Sequence, residues 1–282
     1  MERQIEIMAP AGNFEALMAA IQGGANSIYF GVENLNMRSH SANNFTMADL
    51  PEITRICSEN NVKSYLTLNI IMYNEDLEKG KQTLQAALDA GVSAVIASDI
   101  SVILYARSIG LEVHISTQAN ISNIEAVRFY SQFADVVVLA RELNMEQVKE
   151  IHNQIIEQNI CGPSGRLVEI EMFCHGALCM AVSGKCYLSL HEYNHSANRG
   201  SCFQICRRGY EVTDLETGRQ LEVDNKYIMS PKDLCTIEFM DKMFNAGVKV
   251  FKIEGRARGA EYVKKVASAY RRAADLLEEG TF

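Results

Sequence analysis

The sequence predicts an α/β fold, a closed (β/α)8 barrel of the TIM type, on three observations. Short β-branched runs alternate with amphipathic helical stretches along almost the whole chain, a rhythm that implies parallel strands joined by crossover helices. Eight such units follow one another, and 282 residues suit a barrel that needs about 250. Several helical stretches run into a glycine just before the next strand, at Gly91, Gly110 and Gly247, the usual left-handed helix stop. Strand count alone does not prove closure, so a doubly wound open sheet is the alternative.

Glu6–Pro10 (EIMAP) reads as the first strand, and residues 13–22 as a helix with Asn13 at its N-cap. Residues 27–32 (SIYFGV) form the second strand, followed by a long loop and a helix over 48–60. The third strand is 63–70 and its helix 74–90; the fourth is 94–99, with a helix over 100–109. The fifth strand is 112–118 with a helix over 124–133, and the sixth is 135–140 with a helix over 145–155. Residues 168–173 (VEIEMF) make the seventh strand, Val248–Ile253 (VKVFKI) the eighth, and Ala260–Glu279 the last helix. One unit breaks the rhythm. Residues 176–230 form a long insert between strand seven and the helix before strand eight, and its second half, 210–229, reads as a hairpin turning at 216–218. The insert leaves the C-terminal end of a strand, the side on which barrels build active sites.

A single domain over residues 1–282 is expected, with an ordinary 48% hydrophobic and 22% charged composition. No apolar run reaches the roughly 18–20 residues of a membrane span. The N-terminal MERQIEIMAPAG lacks the basic start and apolar stretch of an export signal, so a cytoplasmic location is expected. The net charge of −8 argues against a generally basic nucleic-acid coat but leaves room for a local basic patch.

Five of the eight cysteines crowd into or just beyond the insert, as Cys179-x6-Cys186-x15-Cys202-x3-Cys206 and then Cys235. In a reducing compartment clustered thiols more often hold metal than form disulfides. An iron–sulfur cluster needs four thiolates at no fixed spacing. Structural zinc prefers two close C-x2–4-C pairs, and only Cys202 and Cys206 come near that pattern; spacing leaves the metal undecided. Cys57 and Cys161 lie apart and read as packing or loop residues.

Proteolytic machinery is weakly represented. Ser183–Gly184 is not a G-x-S-x-G elbow, and no H-E-x-x-H helix is present. Polar residues gather instead at the C-terminal ends of the strands. Glu171, His175, Lys252 and Glu254 are the candidates for proton transfer. Asn69, Thr117, Gln118, Asn120, Arg141 and Arg256, with Arg199 and Arg207 from the insert, are the candidates for substrate binding. For any one of them a structural hydrogen bond or internal ion pair is the competing role. His114, inside a strand, reads as a satisfied core histidine. Lys185, Arg199, Arg207 and Arg208 make the insert locally basic, and Tyr187, Tyr193, Phe203 and Tyr210 offer rings for base stacking or for the insert's own core.

The segments EMFCHGALCMAVSGKC (171–186), NRGSCFQICR (198–207), SPKDLC (230–235) and FKIEGR (251–256), with MAPAG, IYFGV and HISTQANISN upstream, resemble the peptidase U32 family over essentially the whole chain. That family was named for collagenase-like proteases. Its better-understood members are hydroxylases that require a 4Fe–4S cluster, among them tRNA uridine-34 hydroxylation enzymes using prephenate as hydroxyl donor, an rRNA cytidine hydroxylation factor and anaerobic ubiquinone hydroxylation proteins. The resemblance implies cluster ligation by Cys179, Cys186, Cys202 and Cys235, with Cys206 in reserve and Cys174 outside the set. It implies a tRNA or rRNA hydroxylase with a small-molecule donor. A collagenase-like peptidase, or a cluster-binding partner subunit of a hydroxylation complex, are the alternative readings.

Overall fold

A computed structural model describes residues 5–39, 44–223 and 229–282. In chain order the elements are β1 (Glu6–Pro10), α1 (Phe14–Gln22), β2 (Ser27–Phe30), α2 (Leu50–Glu59), β3 (Lys63–Leu68), α3 (Leu77–Asp89), β4 (Ala94–Ala97), α4 (Ile100–Ser108), β5 (Glu112–Ile115), α5 (Ile124–Tyr130), β6 (Val136–Val138) and α6 (Met145–Glu157). Then come β7 (Glu169–Gly176), α7 (Leu188–Tyr193), β8 (Tyr210–Thr213), β9 (Gln220–Val223), β10 (Leu234–Cys235), α8 (Met240–Asn245), β11 (Val248–Ile253) and α9 (Ala260–Glu279).

Strands β1 to β7 and β11 pair in parallel, in the order β7-β11-β1-β2-β3-β4-β5-β6, and β6 pairs with β7 to close the ring. The fold is therefore the closed barrel, not the open sheet. Alternate residues divide the strands' side chains between two cores. Ile7, Ile28, Leu66, Val95, Val113, Val137 and Phe251 point out against the helices in one continuous apolar layer. Met8, Tyr29, Tyr65, Ala94, Ile96, Val136 and Val250 fill the interior. At the same level inside sit Glu171, Lys252 and His114, all buried, where such barrels ordinarily carry branched aliphatic side chains.

The expected Asn13 cap is present: its side chain accepts a hydrogen bond from Ala16 N at 2.8 Å. Strand ends differ from the sequence reading in two places that matter for function. β5 stops at Ile115, because Thr117–Ala119 curls into a 3-10 turn that Asn120 ends in the left-handed region at φ 55°. β7 runs on to Gly176, past the expected end at Phe173, because β10 pairs with its last residues, Leu234 opposite Gly176 and Cys235 opposite His175. The predicted hairpin exists as antiparallel β8 and β9, nucleated by the Asp214 carboxylate, which accepts from Glu216 N and Thr217 N at 3.0 and 2.6 Å. Residues 224–228 of its predicted span lie outside the described residues.

Candidate active site

The C-terminal ends of the strands converge on one cavity of ≈ 130 Å³. Its floor is built from Tyr29, Thr67, Ile96, Val138, Phe173 and Lys252, and its walls from Asn69, Thr117, Gln118, Arg141, Glu254 and Arg256. The insert folds back as a roof, contributing Cys179, Met180, Cys186, Leu188, Cys202, Gln204, Ile205 and Cys206.

Local contacts hold the roof in place. Ser183 Oγ donates to Asn120 Oδ1 at 2.7 Å. Arg199 forms an ion pair with Asp76, donates to the Ile71 carbonyl at 3.1 Å and lies 3.9 Å over the Tyr73 ring. Arg207 donates to the Leu178 carbonyl at 3.0 Å and pairs with Asp233 at 3.3 Å. These contacts reassign three predicted binding residues. Arg199, Arg207 and Asn120 brace the insert and do not line the cavity, because their polar atoms are already taken by backbone and neighbouring side chains. Ser183 is buried in the same brace, so it offers no exposed nucleophile.

Lys252 donates to Glu171 Oε1 at 2.7 Å and lies 4.7 Å over the Tyr29 ring and 5.5 Å over Phe173. Its partner is thus Glu171 and not Glu254. Burial works against the charge on Glu171, but Lys252 and then His114 outweigh it and hold the carboxyl below its usual range. Glu254 accepts from Arg38 at 3.1 Å and from the Tyr29 hydroxyl at 3.3 Å, and Arg38 Nη1 stands 4.0 Å from Cys202 Sγ. Arg256 donates to Asn36 Oδ1 and Thr67 Oγ1, each at 3.0 Å, and burial brings its guanidinium down to about 10. Gly31 is required beside it, since a Cβ there would come within 2.5 Å of Arg256 Nη1. Among the described residues Arg141 has no carboxylate partner; it lies 5.7 Å over Phe173. Thr117 Oγ1 is buried without a hydrogen bond.

His175 is not in the cavity. The β7–β11 register shifts between Lys252 and Ile253, and an irregularity of this kind re-aims the following side chain. His175 therefore packs on α9, 5.5 Å from the Tyr270 ring and 6.0 Å from Tyr262. Burial lowers its pKa. His175, expected as a proton donor or substrate contact, thus lies apart from the cavity that holds the thiols and Lys252.

Four thiols share the cavity: Cys179, Cys186, Cys202 and Cys206. Their proximity is felt electrostatically, since burial and then the charge of Cys179, with lesser contributions from Cys202 and Cys186, push the Cys206 thiol up. Cys235 stands elsewhere, exposed on β10 opposite His175. Among the described residues no three His, Cys, Asp or Glu side chains are close enough to hold one metal ion.

The model of peptidase family U32 matches residues 12–282. The chain belongs to that family. Its U32 sequence is 62% identical over 277 residues to a collagenase of Porphyromonas gingivalis, covering 98% of this chain and 67% of the relative. It is 37% identical over 277 residues to tRNA hydroxylation protein P1 of Bacillus subtilis, covering 96% of this chain and 63% of that protein. The U32 chain thus spans about two thirds of the length of both. In fold it is similar to the solved U32 peptidase Mk0906, with a TM-score of 0.55 at 12% identity over 90% of this chain and 94% of that one.

Sequence reasoning missed several cavity residues of this U32 barrel. Tyr29 and Thr67 were legible as inward-facing positions of β2 and β3. Arg38 was not, because it sits on the loop after β2, where no periodicity exists to aim a side chain. No helix among the described residues is long and apolar enough to cross a membrane.

Proposed function

We propose that this U32 chain is an iron–sulfur-dependent RNA hydroxylase acting on a uridine of tRNA, with a small carboxylate-bearing, prephenate-like donor in the barrel cavity. The observation that carries the reading is the single cavity in which four thiols face Lys252, Arg141 and Arg256. Cys179, Cys186 and Cys202 supply three ligands. The fourth is chosen between Cys206, at the cavity, and Cys235, exposed on β10. Four cysteines lining one cavity are the number and kind of donors that a 4Fe–4S cluster takes. Such a cluster, when bound, supplies a Lewis-acidic or electron-donating centre beside the substrate.

The chain's own residues divide the remaining work. Arg141, free of any carboxylate partner among the described residues, supplies a guanidinium fork for a donor carboxylate. The unpartnered Thr117 Oγ1 offers a hydrogen bond at the same wall. Lys252, held by Glu171, presents a charged ammonium at the floor, where few waters compete with it. On the insert Tyr187 is 78% exposed, and Arg208 lies 5.3 Å over the Tyr193 ring. These are the flat and cationic surfaces on which an unstacked base and its phosphates are held. The relationship to a tRNA hydroxylation protein supports this reading.

The test is anaerobic purification with iron, sulfide and zinc analysis, followed by nucleoside mass spectrometry in a strain lacking the modification. About four irons and four sulfides per chain, lost in the Cys179→Ala variant, together with a restored hydroxynucleoside, are expected. Comparing Cys206→Ala with Cys235→Ala identifies the fourth ligand. Zinc without sulfide, or peptide hydrolysis that disappears with a single cavity substitution, would favour the peptidase reading. Activity that appears only with a second protein would make the chain a cluster-binding subunit.

A further inference from the structure

Along the barrel axis one carboxylate faces two cationic groups from opposite ends. Glu171 is fully buried. Its Oε1 accepts from Lys252 Nζ at 2.7 Å. Its Oε2 has no hydrogen-bond partner and lies 3.8 Å from His114 Nδ1, which has none either. The other ring nitrogen of His114, Nε2, stands 3.3 Å from Glu112 at the N-terminal mouth. A small cavity there is lined by Glu6, Lys63, Glu112, His114, Arg166 and Glu169 among others. Lys252 belongs to the other end, where it lines the cysteine cavity. Two buried polar atoms left unsatisfied and facing each other are costly. They attract when His114 carries a proton on both nitrogens.

We propose that Glu171 is shared between His114 and Lys252, so that the charge on the histidine, exchanged with solvent at the N-terminal mouth, sets how firmly the lysine is held beneath the substrate cavity. The proposal rests on the reading of that cavity as the active site and adds His114 and Glu171 as positioning residues. With His114 neutral, Glu171 closes on Lys252 alone. With His114 charged, Oε2 is drawn to the imidazolium, and Lys252 is freer to turn to a ligand. The charged and titratable groups around His114 and its mouth are Glu112 on its own β5, Lys63 and Tyr65 on β3, Glu6 on β1, Glu169 and Glu171 on β7, and Lys252 beyond Glu171 on β11, with Asp135 and Arg166 from the adjoining loops, while the paired strands β4 and β6 present apolar Ile96 and Val136. The Tyr65 ring packs 4.6 Å from the imidazole. Burial opposes the histidine's charge, but Glu112 and Glu171 outweigh it and raise its pKa to about 9. Coupling of this kind is reciprocal, so a ligand that pairs with Lys252 also shifts the titration of His114.

The experiment follows the Lys252 side-chain resonance in 13C-lysine-labelled protein across pH, with the His114 ring read in the same samples. Lys252 is expected to show a step at the midpoint of His114, and that step is absent in His114→Gln. Glu112→Gln, at the partly exposed mouth, is expected to move both midpoints downward together, and it serves if His114→Gln does not fold. In turnover, the pH profile of hydroxynucleoside formation loses the corresponding limb in His114→Gln. A Lys252 resonance that ignores the His114 midpoint, or a step that survives in His114→Gln, overturns the coupling. The resonance is read without turnover. Wild-type protein that forms no hydroxynucleoside would therefore sink the functional reading alone.

Discussion

Lys252 and Glu171 place opposite charges where a barrel interior normally carries aliphatic side chains, and both are buried. Removing one partner strands the other, which typically costs about 3–5 kcal/mol. Lys252→Met is expected to lower the urea unfolding free energy by roughly that amount, and adding Glu171→Leu is expected to recover much of it. An unchanged midpoint in the single variant would show that the pair is solvated. His114 adds a pH dependence. Its folded pKa of about 9 lies above the ordinary ~6.5, so its stabilisation is complete below about pH 6.5 and is lost as pH rises through 9. The slope reaches at most about 1.4 kcal/mol per pH unit. Wild type should lose thermal stability over that window relative to His114→Gln; parallel curves would contradict the assignment.

Among the elements, β7 and α9 are tied by Tyr270, whose hydroxyl donates to the Cys174 carbonyl at 2.7 Å and accepts from Thr236 N at 3.0 Å. That pair of bonds fixes β10 against the end of β7, where the register shift turns His175 outward. Tyr270→Phe removes these two bonds while Thr236 N and Oγ1 still donate to the Cys174 carbonyl, so it is expected to cost about 1 kcal/mol, measured by denaturant unfolding. The insert depends on contacts of a different kind. Arg199 joins it to the loop after β3, partly exposed and with little apolar burial around it. Arg199→Ala should speed limited proteolysis within residues 182–200 while the barrel's unfolding midpoint moves little. Proteolysis at the wild-type rate would show that the roof is held by its other braces.

For the whole molecule, the apolar layer between barrel and helices takes nothing from the insert roof: among the buried residues of that core none lies between Cys174 and Met240. Barrel stability and thiol chemistry are therefore separable. Oxidising or chelating the purified protein is expected to release iron and sulfide and open the roof to protease, while leaving far-UV circular dichroism and the main thermal transition near their starting values. A transition that collapses on metal loss would mean the thiols also hold the barrel together.

The period of the apolar residues determined the alternating strands and helices. Runs such as SIYF and AVIA are buried on both faces, which called for parallel strands covered on each side, while closure into a barrel was decided only by the pairing of β6 with β7. Asn13 as a cap, the hairpin after Tyr210 and the gathering of polar residues at the strand ends were all legible, because each depends on neighbours within a few positions. Tertiary structure decided the rest. Which carboxylate meets Lys252 depends on β7 lying beside β11, far apart in sequence, so Glu171 and not Glu254 took that role. Whether His175 faces in or out depended on one irregular step in strand pairing, which no local pattern records. The return path of the insert likewise separated Arg199 and Arg207, which brace it, from Arg141, which faces the cavity, and put Cys206 rather than Cys235 beside the other thiols. Local sequence fixes periodicity and capping through short-range sterics and hydrogen bonds. The pairing of charges and thiols is fixed only when closure of the barrel brings distant strands to a common mouth.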